Sequence, residues 1–409
     1  MKQFFPLLMF FFVCSFSLSE TTQFTKRFRN DVRSGPGAYY ELVSSLPEGT
    51  EVTVKKNDGN WVNITTKQKV NGWISKNCLL DKLPDISEKD QTAISTTSKS
   101  SKTSIAAAVR GFAERFGNAG EGNEAFLSYA DENVFSLQEY RSFLKSTLAE
   151  LSPIPLDQFG DEKNYLGEYI SSLAEQGVGL GIAARIANNG MVNDSAKLKY
   201  LNMLGTYLIE STPSYDVQFH FFILNDTKPT AYSAPGGYIF ISQGMLNQCI
   251  NEAQLAGVIA HEIAHIILNH GLKEIKSRAA FIKIEEHLQA LEQQIGDELK
   301  ETQAALEQFS SVSWELANRP RTAAMEEEAD NTAATLLAHA GYDPNALSEL
   351  IKKMESESKK SLTQNYDQEQ TLLFVNMKQR KEHLQKFIER TLSTVKGKLN
   401  LERFQKIVK

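Results

Sequence analysis

The chain is poor in residues that would open several routes to function. It has 3 cysteines among 409 residues. Cys14 lies in an apolar N-terminal run, while Cys78 and Cys249 fall in segments of different character. No disulfide framework follows, and no bond between the last two is expected. Excess positive charge is also lacking, with 44 Lys and Arg against 50 Asp and Glu, a net charge of −6. A nucleic-acid partner is therefore not expected. Apolar runs long enough to span a membrane are missing, so the mature chain should have no integral span. Histidine is scarce at 7, yet three of the seven sit in VIAHEIAHIILNH, residues 258–270.

The first residues read MKQFFPLLMFFFVCSFSLSE. One Lys precedes an apolar run from Phe4 to Phe16, shorter than the ~20 residues of a spanning helix. Ser17 and Ser19 offer small side chains for a signal-peptidase cut after Ser19. Residues 1–19 thus read as a signal peptide, with an uncleaved anchor as the competing reading. The mature chain is expected outside the cytoplasm, periplasmic first, with secreted or lipid-anchored through Cys14 as alternatives.

Length sets a prior of two or three domains. In residues 24–84, short β-rich runs (EVTVKK, WVNITT, GWIS) alternate with turn signals at Pro47-Glu48-Gly49, Asn57-Asp58-Gly59-Asn60 and Asn71-Gly72. Trp61 and Trp73 are the large apolar side chains of this segment. Residues 85–104 read as a linker, because nine of the 14 residues from Gln91 to Ser104 are Ser or Thr. A helical segment follows over 105–155, then helices over about 165–187 and 195–212, with Asp194 or Ser195 as N-cap. VQFHFFIL (217–224) and APGGYIFIS (234–242) read as strands, the second entered through a turn. His220, alone in an apolar strand, reads as a packed histidine and not a ligand. The periodicity predicts a helix over 252–276 and a long heptad-like helix over 284–309. Another is predicted over 322–340, closed by Gly341, with Asp343 capping the next. The C-terminal segment, 351–409, reads as helical and Lys-rich.

His261 and His265 are four residues apart, so both imidazoles stand on one helix face and can bind one zinc ion at ~2.0–2.1 Å. Glu262, next to the first ligand, can reach a metal-bound water as general base. His270 is five residues past His265, hence ~140° around a continuing helix. It reads as a surface residue or one behind the ligands. The third ligand must come from elsewhere, and EEEAD (326–330) is the best candidate. Glu326 and Asp330 share a face, while Glu327 and Glu328 point ~100° and ~200° away from Glu326. One carboxylate can then bind metal while the other orients a ligating histidine. Ala323, Ala324, Ala329, Ala333 and Ala334 allow another helix to approach closely.

Two resemblances rest on these residues. VRSGPG (32–37), the Gly49 turn, Trp61, GWI (72–74) and Leu79-Leu80 resemble the bacterial SH3-like domain, which implies a small all-β barrel with a cell-wall or protein ligand. TAYSAPGGYIFISQGML (230–246), NEAQLAGVIAHEIAHIILNHG (251–271), EEEAD and LLAHAGYDPNAL (336–347) resemble zinc metallopeptidases of family 48, in their soluble exported branch. That likeness covers about residues 165–350. It implies a mainly α (α+β) gluzincin-type metallopeptidase domain, placed at 156–350, with a small β-sheet beside the active-site helix. It further implies one zinc ion, Glu326 as third ligand and Asp330 behind a ligating histidine. Polypeptide substrates would be bound by strand addition along Ala231, Tyr232, Ser233, Ala234 and Pro235. Two departures stand out. Many relatives carry a His-Pro pair upstream of an Arg, and LLFVNMKQRKEHLQ has no such pair. In some exported relatives a C-terminal histidine closes on the zinc, for which His383 and His339 are candidates.

The expected activity is zinc-dependent endopeptidase action on misfolded or mis-assembled envelope proteins. The alternatives are a zinc-binding chaperone-like or cell-wall-binding protein with a plugged site, and a peptidoglycan peptide hydrolase.

Overall fold

The computed structural model describes residues 21–27, 29–83, 126, 134–151, 173–210, 212–271, 321–361 and 368–409. The expected signal peptide, the linker, most of 105–133 and the heptad-like helix over 284–309 lie outside these residues. The chain divides into two compact units, residues 1–98 and 99–409.

The first unit is a seven-stranded antiparallel sheet. Its strands are β1 (Thr21–Thr25), β2 (Arg29–Arg33), β3 (Leu42–Pro47), β4 (Glu51–Asp58), β5 (Trp61–Thr66), β6 (Asn71–Ser75) and β7 (Leu79–Leu80), in the order β3-β2-β6-β5-β4-β1-β7. Alternation explains the sheet, since Val52 and Val54 of β4 turn inward with Val62 and Ile64 of β5. Val32, Leu46, Ile74 and Cys78 complete the core. Trp61 is buried, whereas Trp73 is half-buried with the Lys56 ammonium 5.8 Å from its ring centroid.

The second unit is mainly helical. In chain order its described elements are α1 (Leu137–Glu150), α2 (Leu173–Ile186), α3 (Ser195–Glu210), β8 (His220–Leu224), β9 (Ala231–Ala234), β10 (Tyr238–Ser242), α4 (Gln243–Gln248), α5 (Glu252–Ile267), α6 (Ala323–His339), α7 (Ala346–Ser361), α8 (Gln368–Thr391) and α9 (Leu401–Val408). The cap of α3 is Asp194, whose Oδ1 accepts the N–H groups of Ala196 and Lys197. The strand expected over 217–224 starts at His220, which stacks on Tyr238 in keeping with a packed role. Among the described residues, no helix is long and apolar enough to cross a membrane.

Helix α5 is buried along its whole length, so it is apolar on nearly every side. Asn251 caps it by accepting the Gln254 N–H at 2.9 Å. Helix α6 packs against it, and its small residues Ala329, Ala333, Ala334 and Ala338 are all fully buried. The three-stranded sheet beside α5 has the order β8-β10-β9, with β10 parallel to β8 and antiparallel to β9. Thus β9 is an edge strand, and it packs on α5. The β9–β10 turn needs glycine at 237, where φ is 98° and a Cβ would lie 2.5 Å from the Gln218 carbonyl.

The C-terminal segment closes over the start of α5. The Ala253 N–H donates to the Leu399 carbonyl, and Lys398 bridges to Tyr342. Glu252, fully buried in the first turn of α5, accepts from Tyr200 at 2.6 Å, Tyr342 at 2.7 Å, Asn400 at 2.9 Å and Arg403 Nε at 2.6 Å. Arg403 also donates to Thr147 of α1 and covers the Phe143 ring. A segment read from sequence only as Lys-rich helix therefore ties α1, α3 and α5 together.

One expectation fails at the other end of α5. The helix expected over 252–276 stops at Ile267, and residues 272–276 lie outside the described residues. Asn269 takes the left-handed conformation, φ 57°. Its N–H reaches the Ile266 carbonyl, and the His270 N–H reaches the His265 carbonyl at 3.0 Å. These are the two bonds of a Schellman motif, and asparagine is among the few residues that tolerate its left-handed position. The run Ile266-Ile267-Leu268 continues the helical apolar pattern, so hydrophobicity alone does not mark this end.

Candidate metal centre

Helix α5 presents His261 and His265 on one face, with Nε2 atoms 3.0 Å apart. Glu326, from the first turn of α6, places Oε2 3.4 Å from His261 Nε2 and Oε1 3.4 Å from His265 Nε2. Donors arranged tetrahedrally at ~2.0–2.1 Å around one ion would be roughly 3.3 Å apart. Two imidazoles and one carboxylate at this spacing fit zinc, and they are the three donors that converge among the described residues.

Each donor is held from behind. His261 Nδ1 lies 2.8 Å from Asp330 Oδ1. Arg380 of α8 grips Asp330 through Nε at 2.9 Å and Nη2 at 2.8 Å, and its Nη1 stands 2.7 Å from Glu326 Oε2. Burial raises the pKa of both carboxyls, but the Arg380 charge outweighs it. Glu326 ends well below the usual range and Asp330 falls to about 2. Burial lowers the His261 pKa, but Asp330 and Glu326 outweigh it and hold the group well above its ordinary value. His265 is pulled down by burial and by the neighbouring His261 charge.

The acidic triplet divides as its angles require. Glu326 faces the histidines, Glu327 lies 3.4 Å from His383, and Glu328 lies 3.1 Å from His270. His383, whose Nε2 is 3.4 Å from Asn331 Nδ2, is apart from the converging donors. His339 closes the last turn of α6, thirteen residues after Glu326, so neither plug candidate joins the group.

Of the two readings of His270, on the surface or behind the ligands, the second agrees with its position. Its side chain is fully buried, and Nδ1 lies 2.9 Å from His265 Nδ1. The break in α5 brings it back towards the ligand that a continuing helix would have carried it away from.

Glu262 is buried, and burial raises its carboxyl pKa against the opposing His261 charge and a hydrogen bond from Ser233. Ser233 belongs to edge strand β9, so the carboxylate beside the donors touches the strand expected to bind substrate. Ala231, Tyr232 and Ser233 are half-buried, while Ala234 and Pro235 are buried. Pro235 abuts α2 at Gly179, where a Cβ would meet the Pro235 carbonyl at 1.7 Å.

Sequence reasoning missed Arg380. Its one signal was that relatives carry an Arg after the His-Pro pair this chain lacks.

An HExxH helix, a glutamate from a later helix and an edge strand beside them define a zinc-metallopeptidase type of domain. Residues 195–392 match the sequence model described as Peptidase family M48, and residues 31–79 match Bacterial SH3 domain. The chain thus carries a peptidase family M48 domain, a family of zinc metalloendopeptidases, behind a bacterial SH3 domain. Among curated proteins it is similar to the beta-barrel assembly-enhancing protease of Escherichia coli (strain K12), 25% identical over 176 residues, 42% of this chain and 35% of that protein. It is also similar to the mitochondrial metalloendopeptidase OMA1 of Schizosaccharomyces pombe, 29% identical over 161 residues, 38% of this chain and 44% of that protein. A putative beta-barrel assembly-enhancing protease of Vibrio cholerae is 27% identical over 175 residues, 42% of this chain and 35% of that protein. The chain thus spans less than half the length of each of these relatives.

Proposed function

We propose that this chain is an exported zinc-dependent endopeptidase. The observation that carries the reading is the convergence of His261, His265 and Glu326 beside a buried Glu262 that edge strand β9 touches. His261, His265 and Glu326 would hold one zinc ion. Zinc in such a site supplies Lewis acidity, activating a water and polarising the scissile carbonyl. Glu262 takes the proton of the attacking water and passes it to the leaving amine, a role suited by its raised pKa. Asp330 and Arg380 hold His261 and Glu326 in place. The free edge of β9, from Ala231 to Ala234 with the Pro235 turn, pairs with an extended substrate segment.

The substrate class we propose is misfolded or mis-assembled envelope protein. The names of the bacterial relatives and the export-signal pattern of residues 1–19 support it. The SH3 domain then serves to grip a cell-wall or protein ligand.

The test compares the mature protein with Glu262→Gln on casein and on purified peptidoglycan. Casein cleavage should fall by roughly 10²–10⁴-fold in the variant while zinc content stays unchanged. Cleavage of peptidoglycan alone would favour a cell-wall peptide hydrolase, and zinc uptake with neither activity a binding protein. Glu326→Ala should lose zinc by elemental analysis, and tight retention would remove Glu326 from the ligand set.

A further inference from the structure

The two histidines of the centre are supported differently. His261 passes its Nδ1 directly to a carboxylate, Asp330. Among the described residues no carboxylate meets His265 Nδ1; it meets His270 Nδ1 at 2.9 Å, and His270 Nε2 meets Glu328 Oε2 at 3.1 Å. The His265 ring is 4% exposed and that of His270 fully buried, while Glu328 is 38% exposed.

The order of protons along this chain follows from one end. His265 Nε2 points at the other metal donors, 3.0 Å from His261 Nε2 and 3.4 Å from Glu326 Oε1. With Nε2 used as a ligand, the His265 proton sits on Nδ1 and donates to His270. His270 must then leave Nδ1 bare and carry its proton on Nε2, which Glu328 accepts. The Schellman bonds of Asn269 and His270 fix the backbone of this arrangement, so both the main chain and the side chain of His270 are tied to His265.

We infer that His270 and Glu328 are positioning residues that hold His265 in the metal-binding tautomer, through a relay from a partly exposed carboxylate across one imidazole to the ligand. The inference rests on the zinc reading above. It extends the metal centre outward on the His265 side to the exposed face of α6, whereas the His261 side ends inside at Asp330 and Arg380. Support of this kind is typically worth 10–100-fold in metal affinity.

The experiment measures zinc affinity by chelator competition for wild type, His270→Leu, His270→Asn and Glu328→Gln. Each is paired with the melting temperature of the zinc-free protein and with 15N–1H spectra of the histidine rings when zinc is bound. His270→Leu should bind zinc about 10–100-fold more weakly. Asn offers an acceptor oxygen near the position of Nδ1, so His270→Asn should recover most of that loss. Glu328→Gln, at a partly exposed site, should fold normally and weaken zinc by about threefold to tenfold, at the lower end of such effects. The wild-type spectrum should show His265 protonated on Nδ1 and His270 on Nε2. The inference is overturned if Glu328→Gln and His270→Asn both bind zinc as wild type does and His270 carries its proton on Nδ1. It is also overturned if His270→Leu lowers only the zinc-free melting temperature. A wild-type protein that takes up no zinc sinks the metal reading itself, and this inference with it.

Discussion

Helix α5 carries a buried acid–arginine cluster near each end. In its first turn Glu252 meets Arg403 of α9; near its last turns His261 and His265 meet Glu326 and Asp330 of α6, which Arg380 of α8 holds. Both bring an arginine from the C-terminal segment to carboxylates inside the fold. The Glu252 carboxylate is filled by protein donors: two tyrosines, an asparagine and the guanidinium. The other cluster leaves three acceptor-type ligand atoms, two Nε2 and a carboxylate, facing one another. Donors and acceptors balance in a structural cluster. Two imidazole nitrogens and a carboxylate oxygen converging on one point suit a cation.

Breaking the first cluster should give the largest change in stability. Arg403→Ala leaves Glu252 buried with an unbalanced charge, at a cost of about 3–5 kcal/mol, read by denaturant unfolding. Zinc content per folded molecule should stay at the wild-type level. A variant that unfolds normally but loses zinc would mean the two clusters are one functional unit.

Asp330→Asn tests the second cluster with a smaller effect. Arg380 keeps Glu326 as partner, so the chain should fold, while zinc affinity drops by about 10–100-fold in chelator competition. If instead stability falls as far as in Arg403→Ala with zinc affinity unchanged, the Asp330 cluster is structural like its counterpart.

The smallest effect concerns a half-buried acid outside both clusters. Burial pushes the Glu210 carboxyl to about 7, against the Tyr140 hydrogen bond that lowers it. The folded state therefore binds this proton more tightly than the unfolded chain does. Its contribution is complete below the ordinary glutamate range, near 4.5, and is lost as pH rises through about 7. Glu210→Gln should flatten the fall in stability between pH 5 and 8 by about 1–2 kcal/mol, measured by unfolding at each pH. An unchanged slope would show that Glu210 is ionised in the folded protein at pH 5.

What was legible in the chain is what short range decides. The i, i+4 spacing of His261 and His265, and of Glu326 and Asp330, fixes which side chains share a helix face. The Ala-rich face of α6 already implied close packing on a second helix, and α5 is that helix. The end of α5 was partly legible, because Asn269 before His270 is a left-handed cap signal, but the aliphatic run before it masked the stop. Arg380 and Arg403 were not legible. They sit in Lys- and Arg-rich helices where most cations face water, and nothing local distinguishes the two that turn inward.

The sequence by itself therefore determined which candidate ligands share a face on each of the two helices that carry them, since one turn of helix sets the relative directions of residues three or four apart. Only the tertiary structure decided that Glu326 meets the histidines across some sixty residues and that Ser233 touches Glu262. It also decided that two half-buried C-terminal arginines turn inward to carboxylates of α5 and α6. Such contacts depend on how whole elements pack, and the energy that selects them is summed over many apolar side chains and is not written in any one of them.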